Sequence, residues 1–282
     1  MATDGSAPGA RRPWPASELG VRAVSGVVLG LLVLAATLTG GWLFALIWLL
    51  AGLAVVGEWL AITRTAPHRL LLGLAGLALA GLMAGARLDT SPLVLLGFAG
   101  LAMLVLALLA RPAAGRLWAP LSLACAAVVA LVPVLLRDDP RIGLAGPLWL
   151  FGTVWTTDIA AYFTGRALGG PKLWPAVSPK KTWSGFCGGL VGATIVGGAI
   201  AAGAAHLGAQ ESLPLAAALG LSALGSVLSQ GGDLAESALK RAYGAKDSGR
   251  LIPGHGGVMD RLDGFFAVAA LAGLLLALRA AA

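Results

Sequence analysis

Charge is scarce in this sequence. Asp, Glu, Lys and Arg make up 12% of its 282 residues, against about 25% in an ordinary soluble domain. Hydrophobic residues reach 58%, and the mean hydropathy is +0.86. So few charges cannot cover a globular surface, which excludes a soluble enzyme, a disordered chain and a fibrous repeat. What remains is a polytopic membrane protein whose outer surface is solvated by lipid. Alternating strands are missing as well. A membrane β-barrel needs segments of roughly 10 residues with alternating hydrophobicity, whereas stretches such as 27–36 and 93–110 are continuously apolar. An open sheet is excluded because unpaired backbone groups in hydrocarbon are too costly. The expected fold class is an all-α polytopic integral membrane protein.

Cysteine is nearly absent. Cys125 and Cys187 each lie inside an apolar run without CxxC spacing, so neither a disulfide framework nor a zinc site is expected. The three histidines, His68, His206 and His255, are far apart and form no ligand motif. There is no GxxxxGK[ST] and no HExxH, which excludes a P-loop NTPase and a zincin protease. The Gly-His-Gly-Gly turn at 254–257 is too short for a dinucleotide fingerprint. Acids are the minority charge, giving a formal net charge of +7. In a membrane chain that excess belongs first to cytoplasmic loops and leaves room for an anionic substrate. No nucleic-acid partner is expected.

A window of about 19 residues marks nine spans, near 22–39, 41–62, 69–86, 91–110, 117–136, 146–166, 185–207, 213–239 and 258–279. Residues 1–21, rich in Pro, Ala and Gly, are expected to form a disordered cytoplasmic tail rather than a cleaved signal peptide. With the N-terminus inside and the spans alternating, 16 of the 20 basic residues fall inside. Only Arg87, Arg137, Arg141 and Arg279 fall outside. That bias supports both the count and a cytoplasmic N-terminus. Residues 22–145 are expected to serve packing and dimer contacts, with Glu58 as their one acid inside a span, read as a structural hydrogen-bonder. Residues 146–282 hold most of the polar chemistry and are expected to be catalytic, because an ionisable residue inside a span points to function.

The most informative stretch is 231–264. Asp233, Glu236 and Lys240 fall at i, i+3 and i+7, on one helix face. A polar loop with Arg241, Lys246, Asp247, Ser248 and Arg250 follows. In the turn at His255, the paired Gly256 and Gly257 let backbone N–H groups approach an anion, as in a nest. Asp260 and Asp263 then open the last helix, with Arg261 between them. Carboxylates, cations and a Gly-Gly turn so close together read as a divalent metal with a polyphosphate. Mg²⁺ commonly takes one or two carboxylates plus phosphate oxygens. Upstream, Ser178, Lys180, Lys181 and Thr182 precede the seventh span, where a helix N-terminus favours phosphate. The two lysines fit a pure topology role as well. Asp158, mid-span, is either part of the site or a structural partner of Arg166 or another cation. The glycines at 185, 188, 189 and 192 suit close helix packing better than a nucleotide loop.

The run from Ser237 to Asp263, S-A-L-K-R-x4-K-D-S-G-x-L-I-P-G-H-G-G-V-M-D-R-L-D, resembles the signature of CDP-diacylglycerol synthases (phosphatidate cytidylyltransferases). T-D-I-A-A-Y-F-T-G-R at 157–166 and S-P-K-K-T-W-S-G-F-x-G-G at 178–189 agree with it. About 130 C-terminal residues carry the match, and Ser184 stands where the family often has an acid. The resemblance implies a reaction of CTP with phosphatidate in the bacterial inner membrane, facing the cytoplasm, by a homodimer among membrane lipids. It implies Mg²⁺ held by Asp233 and Asp260, with Asp263 as an orienting residue or a ligand to a second cation. Lys180, Lys181, Lys240, Arg241, Lys246 and Arg261 would neutralise phosphates, and His255 would be a donor to pyrophosphate or a structural part of the turn. A related CTP-dependent lipid kinase, an ether-lipid enzyme and a transporter are the alternative readings.

Overall fold

The structure, a computed structural model, describes residues 16–211, 213–252 and 256–281. Among them are nine helices: α1 (Ala16–Thr39), α2 (Gly41–Ile62), α3 (His68–Arg87), α4 (Pro92–Leu109), α5 (Gly115–Asp138), α6 (Ala145–Leu168), α7 (Trp183–Ala202), α8 (Leu215–Ala242) and α9 (Met259–Ala281). Each falls on an expected span. Seven of them, α2–α5 and α7–α9, are long and apolar enough to cross a membrane. The chain is an α-helical membrane protein.

Three expectations are corrected in detail. The tail of 1–21 is cut short, because α1 already begins at Ala16; residues 1–15 lie outside the described set. The seventh span ends at Ala202, and a single 3-10 turn, Ala204–Leu207, follows it. The fold is also not purely helical. Strands β1 (Lys172–Trp174) and β2 (Ser178–Thr182) pair antiparallel as a small hairpin ahead of α7.

Contacts at the helix ends show the chain running up and down. At one pole, Arg87 of α3 meets Asp138 of α5 at 2.6 Å. Arg137 of α5 donates to the carbonyl of Thr37 at the end of α1, Leu144 before α6 bonds Leu207 after α7, and Arg279 of α9 pairs with Glu211 before α8. The guanidinium of Arg141 grips Asp139 here and holds its carboxyl below the usual carboxylate range. At the opposite pole, Ala66 before α3 bridges to Arg111 before α5, and the ends of α2, α6, α7, α8 and α9 converge on the polar loops described below.

Small residues set how closely these helices pack. α7 lies along α6, and a Cβ on Gly185 would come 2.8 Å from the carbonyl oxygen of Ala161; on Gly189, 2.9 Å from that of Thr157. The glycine stripe is a packing face, as expected, and serves the close approach that membrane helices use. Between the halves of the chain, Trp48 of α2 stacks on Phe265 of α9 (4.9 Å) and Phe151 of α6 (5.7 Å). By contrast α4 buries only Leu106 and turns the rest of its apolar surface outward. Gly189→Ala is expected to destabilise the protein by about 1–3 kcal/mol, as overpacking does. Gly220→Ala, with nothing within 4 Å of the added Cβ, should be neutral or slightly stabilising. Thermal unfolding of the two variants in one detergent checks the contrast.

Candidate active site

The site is built around Lys240, near the end of α8. Its ammonium lies 2.9 Å from Glu236 Oε1 and 2.6 Å from Asp260 Oδ1. Glu236 and Lys240 make the expected i,i+4 pair, and Asp260 sits in the first turn of α9. All three side chains are buried, with side-chain exposures of 11% (Lys240), 5% (Glu236) and 9% (Asp260). One cation therefore bridges two carboxylates and ties α8 to α9.

The loop between these helices folds onto the same carboxylate. Asp260 Oδ2 accepts the N–H of Ser248 (2.8 Å) and of Gly257 (2.9 Å). Glu58, from α2, enters alongside. Its Oε1 accepts the N–H of Val258 at 2.9 Å, and its Oε2 accepts the N–H of Met259 (2.8 Å) and the Ser248 hydroxyl (2.9 Å). Gly256 adopts φ +85°, a conformation that glycine takes without steric cost. The Gly-Gly turn is thus an anion nest, as its sequence suggests, but the anions it holds belong to the protein.

That network gives several of the expected site residues partners within the protein. Protein donors engage both carboxylate oxygens of Asp260. Gly257 spends its N–H on Asp260, and the buried Ser248 shares its hydroxyl between Glu58 and the N–H of Asp260. Thr182 is likewise committed: it caps α7, its hydroxyl oxygen accepting the N–H of Gly185 at 3.2 Å. Ser184 caps the carbonyl of Gly169, a structural task that needs no carboxylate. Arg166 donates to Tyr162, so Asp158 is not its partner.

The other expected residues gather at the mouth. The hairpin delivers Lys181, whose ammonium meets Asp233 Oδ2 at 2.5 Å. Asp158 on α6 is exposed there, within electrostatic reach of Asp233, Lys181 and Arg261. Asp263 lies one turn into α9, in reach of Asp233, Asp158 and Lys240. Lys180, Arg241, Lys246 and Asp247 are exposed around the rim, and Ser178 is half-buried in β2. Arg241 also donates to the carbonyl of Ala245, closing the start of the loop. His255 lies outside the described residues. Among those described, no three Asp, Glu, His or Cys side chains converge to hold a metal ion by themselves.

Behind the triad, a cavity of about 460 Å³ opens between α2, α5, α8 and α9, lined by Trp59, Trp118 and Tyr243 with Glu236 and Asp263 at its edge. Lys240→Met is expected to cost about 3–5 kcal/mol, because it strands two buried carboxylates. Asp247→Asn, at an exposed position, should stay within about 0.5 kcal/mol. Chemical unfolding in detergent measures both.

Comparison with known proteins agrees with the motif. The profile of the Cytidylyltransferase family matches residues 20–279. A phosphatidate cytidylyltransferase of Brucella suis is 45% identical over 257 residues, covering 90% of this chain and 92% of the relative. The Bacillus subtilis protein of the same name is 44% identical over 143 residues, about half of each chain. One from Staphylococcus aureus is 43% identical over 134 residues, again about half. The match runs through nearly all nine helices as well as the polar pole, and the chain belongs to the cytidylyltransferase family.

Proposed function

We propose that this protein transfers the cytidylyl group of CTP to phosphatidate, giving CDP-diacylglycerol and pyrophosphate. The observation that carries this reading is the pair of lysine–carboxylate contacts, Lys181–Asp233 and Lys240–Asp260, on neighbouring elements at one pole. The nucleophile, a phosphate monoester, is already largely dianionic near neutral pH, since its second pKa is about 6. It needs no strong general base. What opposes the reaction is repulsion between that anion and a triphosphate, so the site must supply positive charge and in-line alignment. A phosphatidate oxygen attacks the α-phosphorus of CTP. The bond from that phosphorus to the bridging oxygen breaks, and pyrophosphate leaves with the electron pair.

Mg²⁺ suits the donors at the mouth. Asp158, Asp233, Glu236, Asp260 and Asp263 form a continuous electrostatic network with Lys181, Lys240 and Arg261. Carboxylates outnumber cations in this network, an arrangement whose ionised form a divalent cation would stabilise. Asp233 and Asp260 would hold it, with Asp158 and Asp263 within electrostatic reach of Asp233. The metal would supply charge neutralisation on the triphosphate. Lys181, beside Asp233, would stand ready to neutralise a phosphate oxygen. Lys180, Lys246 and Arg261 stand around the same mouth to neutralise the lipid head group and the leaving pyrophosphate. A second cation at Asp263 belongs to the same reading.

The purified protein with CTP, phosphatidate and Mg²⁺ should release pyrophosphate and retain label from the α-phosphate, not the γ-phosphate, in the lipid. Retention of γ-label instead would make it a lipid kinase. Asp233→Asn should lower turnover by more than about tenfold, a loss above roughly 1.4 kcal/mol, while the protein still inserts.

The same reading places all nine helices across the bacterial inner membrane, with the N-terminus and the polar pole in the cytoplasm, and the enzyme as a homodimer. CTP then arrives from water and phosphatidate from the adjoining leaflet. The basic residues support that orientation: among the described residues, 14 of 18 fall on the side of the polar pole. Single cysteines at Asp247 and Ala280, in a background lacking Cys187, should label from opposite sides of sealed vesicles. Labelling of both from one side overturns the nine-span arrangement.

A further inference from the structure

Glu58 is remote in sequence from every motif in the chain, yet it is the residue around which the α8–α9 loop closes. It is 6% exposed, in the last turns of α2, and 190 residues from Ser248. Its carboxylate accepts two backbone N–H groups at the start of α9 and the hydroxyl of Ser248. These are charge-assisted bonds to a helix N-terminus, where a negative group is favoured. Two glycines make room for it. A Cβ on Gly249 would lie 2.7 Å from Glu58 Oε1, and one on Gly257 would press on the same carboxylate. The same backbone turn presents the N–H groups of Ser248 and Gly257 to Asp260, which grips Lys240.

We propose that Glu58 is a positioning residue for the transfer reaction. It fills the Gly-Gly nest, fixes the loop, and through the loop sets where Asp260 and Lys240 stand. The inference rests on the cytidylyl-transfer reading and adds to it a residue of the N-terminal half. Its charge and its length both matter. Glu58→Gln replaces an acceptor oxygen with an NH₂ group that faces an N–H donor. Glu58→Asp withdraws the carboxylate by one methylene from partners that lie on two sides of it.

The experiment uses the full chain in detergent or nanodiscs. Glu58→Gln should lower kcat by about tenfold or more while KM for CTP changes by less than about threefold. Amide exchange in 246–259 should quicken, and exchange in the helices away from the loop should not. Gly249→Ala supplies a second arm, since the three nearest atoms to its added methyl all belong to Glu58. Alone it should also lower kcat. Added to Glu58→Gln, it should lower kcat by less than it does in the wild-type background, since both changes act on the same contact. A Glu58→Gln enzyme with kcat within about twofold of wild type, or effects of the two changes that simply multiply, overturns the proposal. An inactive wild-type protein would overturn the reading of the reaction, and loop exchange would then decide by itself. Unchanged exchange in Glu58→Gln removes Glu58 from the loop's support.

Discussion

A lysine held between two carboxylates inside a membrane protein is the interaction on which the polar pole depends. Lys240, Glu236 and Asp260 are buried, and burying any one of them alone would be strongly unfavourable. Together they form a bridge that only one placement of α8 against α9 satisfies. The rest of the pole follows from that bridge. Asp260, fixed by Lys240, still has one oxygen to offer the loop amides, and the loop then curls back to meet Glu58 from α2. Several carboxylates thus collect in a small volume at this pole, held by the loop amides and the lysines.

Glycine does the complementary work. In lipid there is no hydrophobic drive to bring helices together, so close packing must supply the contact. Gly185 and Gly189 let α7 lie against the carbonyls of α6, and Gly232 and Gly264 do the same between α8 and α9, where a Cβ on Gly232 would come 2.6 Å from the carbonyl oxygen of Asp263. Those two contacts place Asp158 of α6, Lys181 ahead of α7, Asp233 of α8 and Asp263 of α9 around one mouth. The glycines hold no substrate, yet they set the distances between the groups that would.

Helix positions were legible because a run of apolar residues of membrane length has few other fates, and each observed helix overlaps its expected span. The i, i+3, i+7 relation of Asp233, Glu236 and Lys240 was legible for the same reason: helical geometry fixes which side chains share a face. The hairpin at 172–182 was not, since the segment is short and polar, and its pairing depends on α7 beginning at Trp183. Nor was the use of the Gly-Gly turn. Spacing shows that backbone N–H groups can approach an anion, but not which anion arrives. Here Asp260 and Glu58 meet those N–H groups, a pairing that spacing alone does not reveal. Glu58 carried a faint signal, as the lone acid inside a span of the N-terminal half. Its partners lie some 190 to 201 residues away, beyond any local pattern.

The asymmetry of basic residues acquires a physical basis from the two poles. The four arginines at the pole away from the site each have a local partner: Arg87 has Asp138, Arg141 has Asp139, Arg279 has Glu211, and Arg137 has the carbonyl end of α1. Their charge is offset where it stands. At the other pole Lys180, Lys246 and Arg241 are exposed, and Lys181 and Lys240 face carboxylates that a metal–nucleotide complex could redistribute. Positive charge is therefore not merely more abundant on that side. Among the described residues, exposed and carboxylate-facing cations gather at that pole, whereas the four arginines of the opposite pole are each engaged locally.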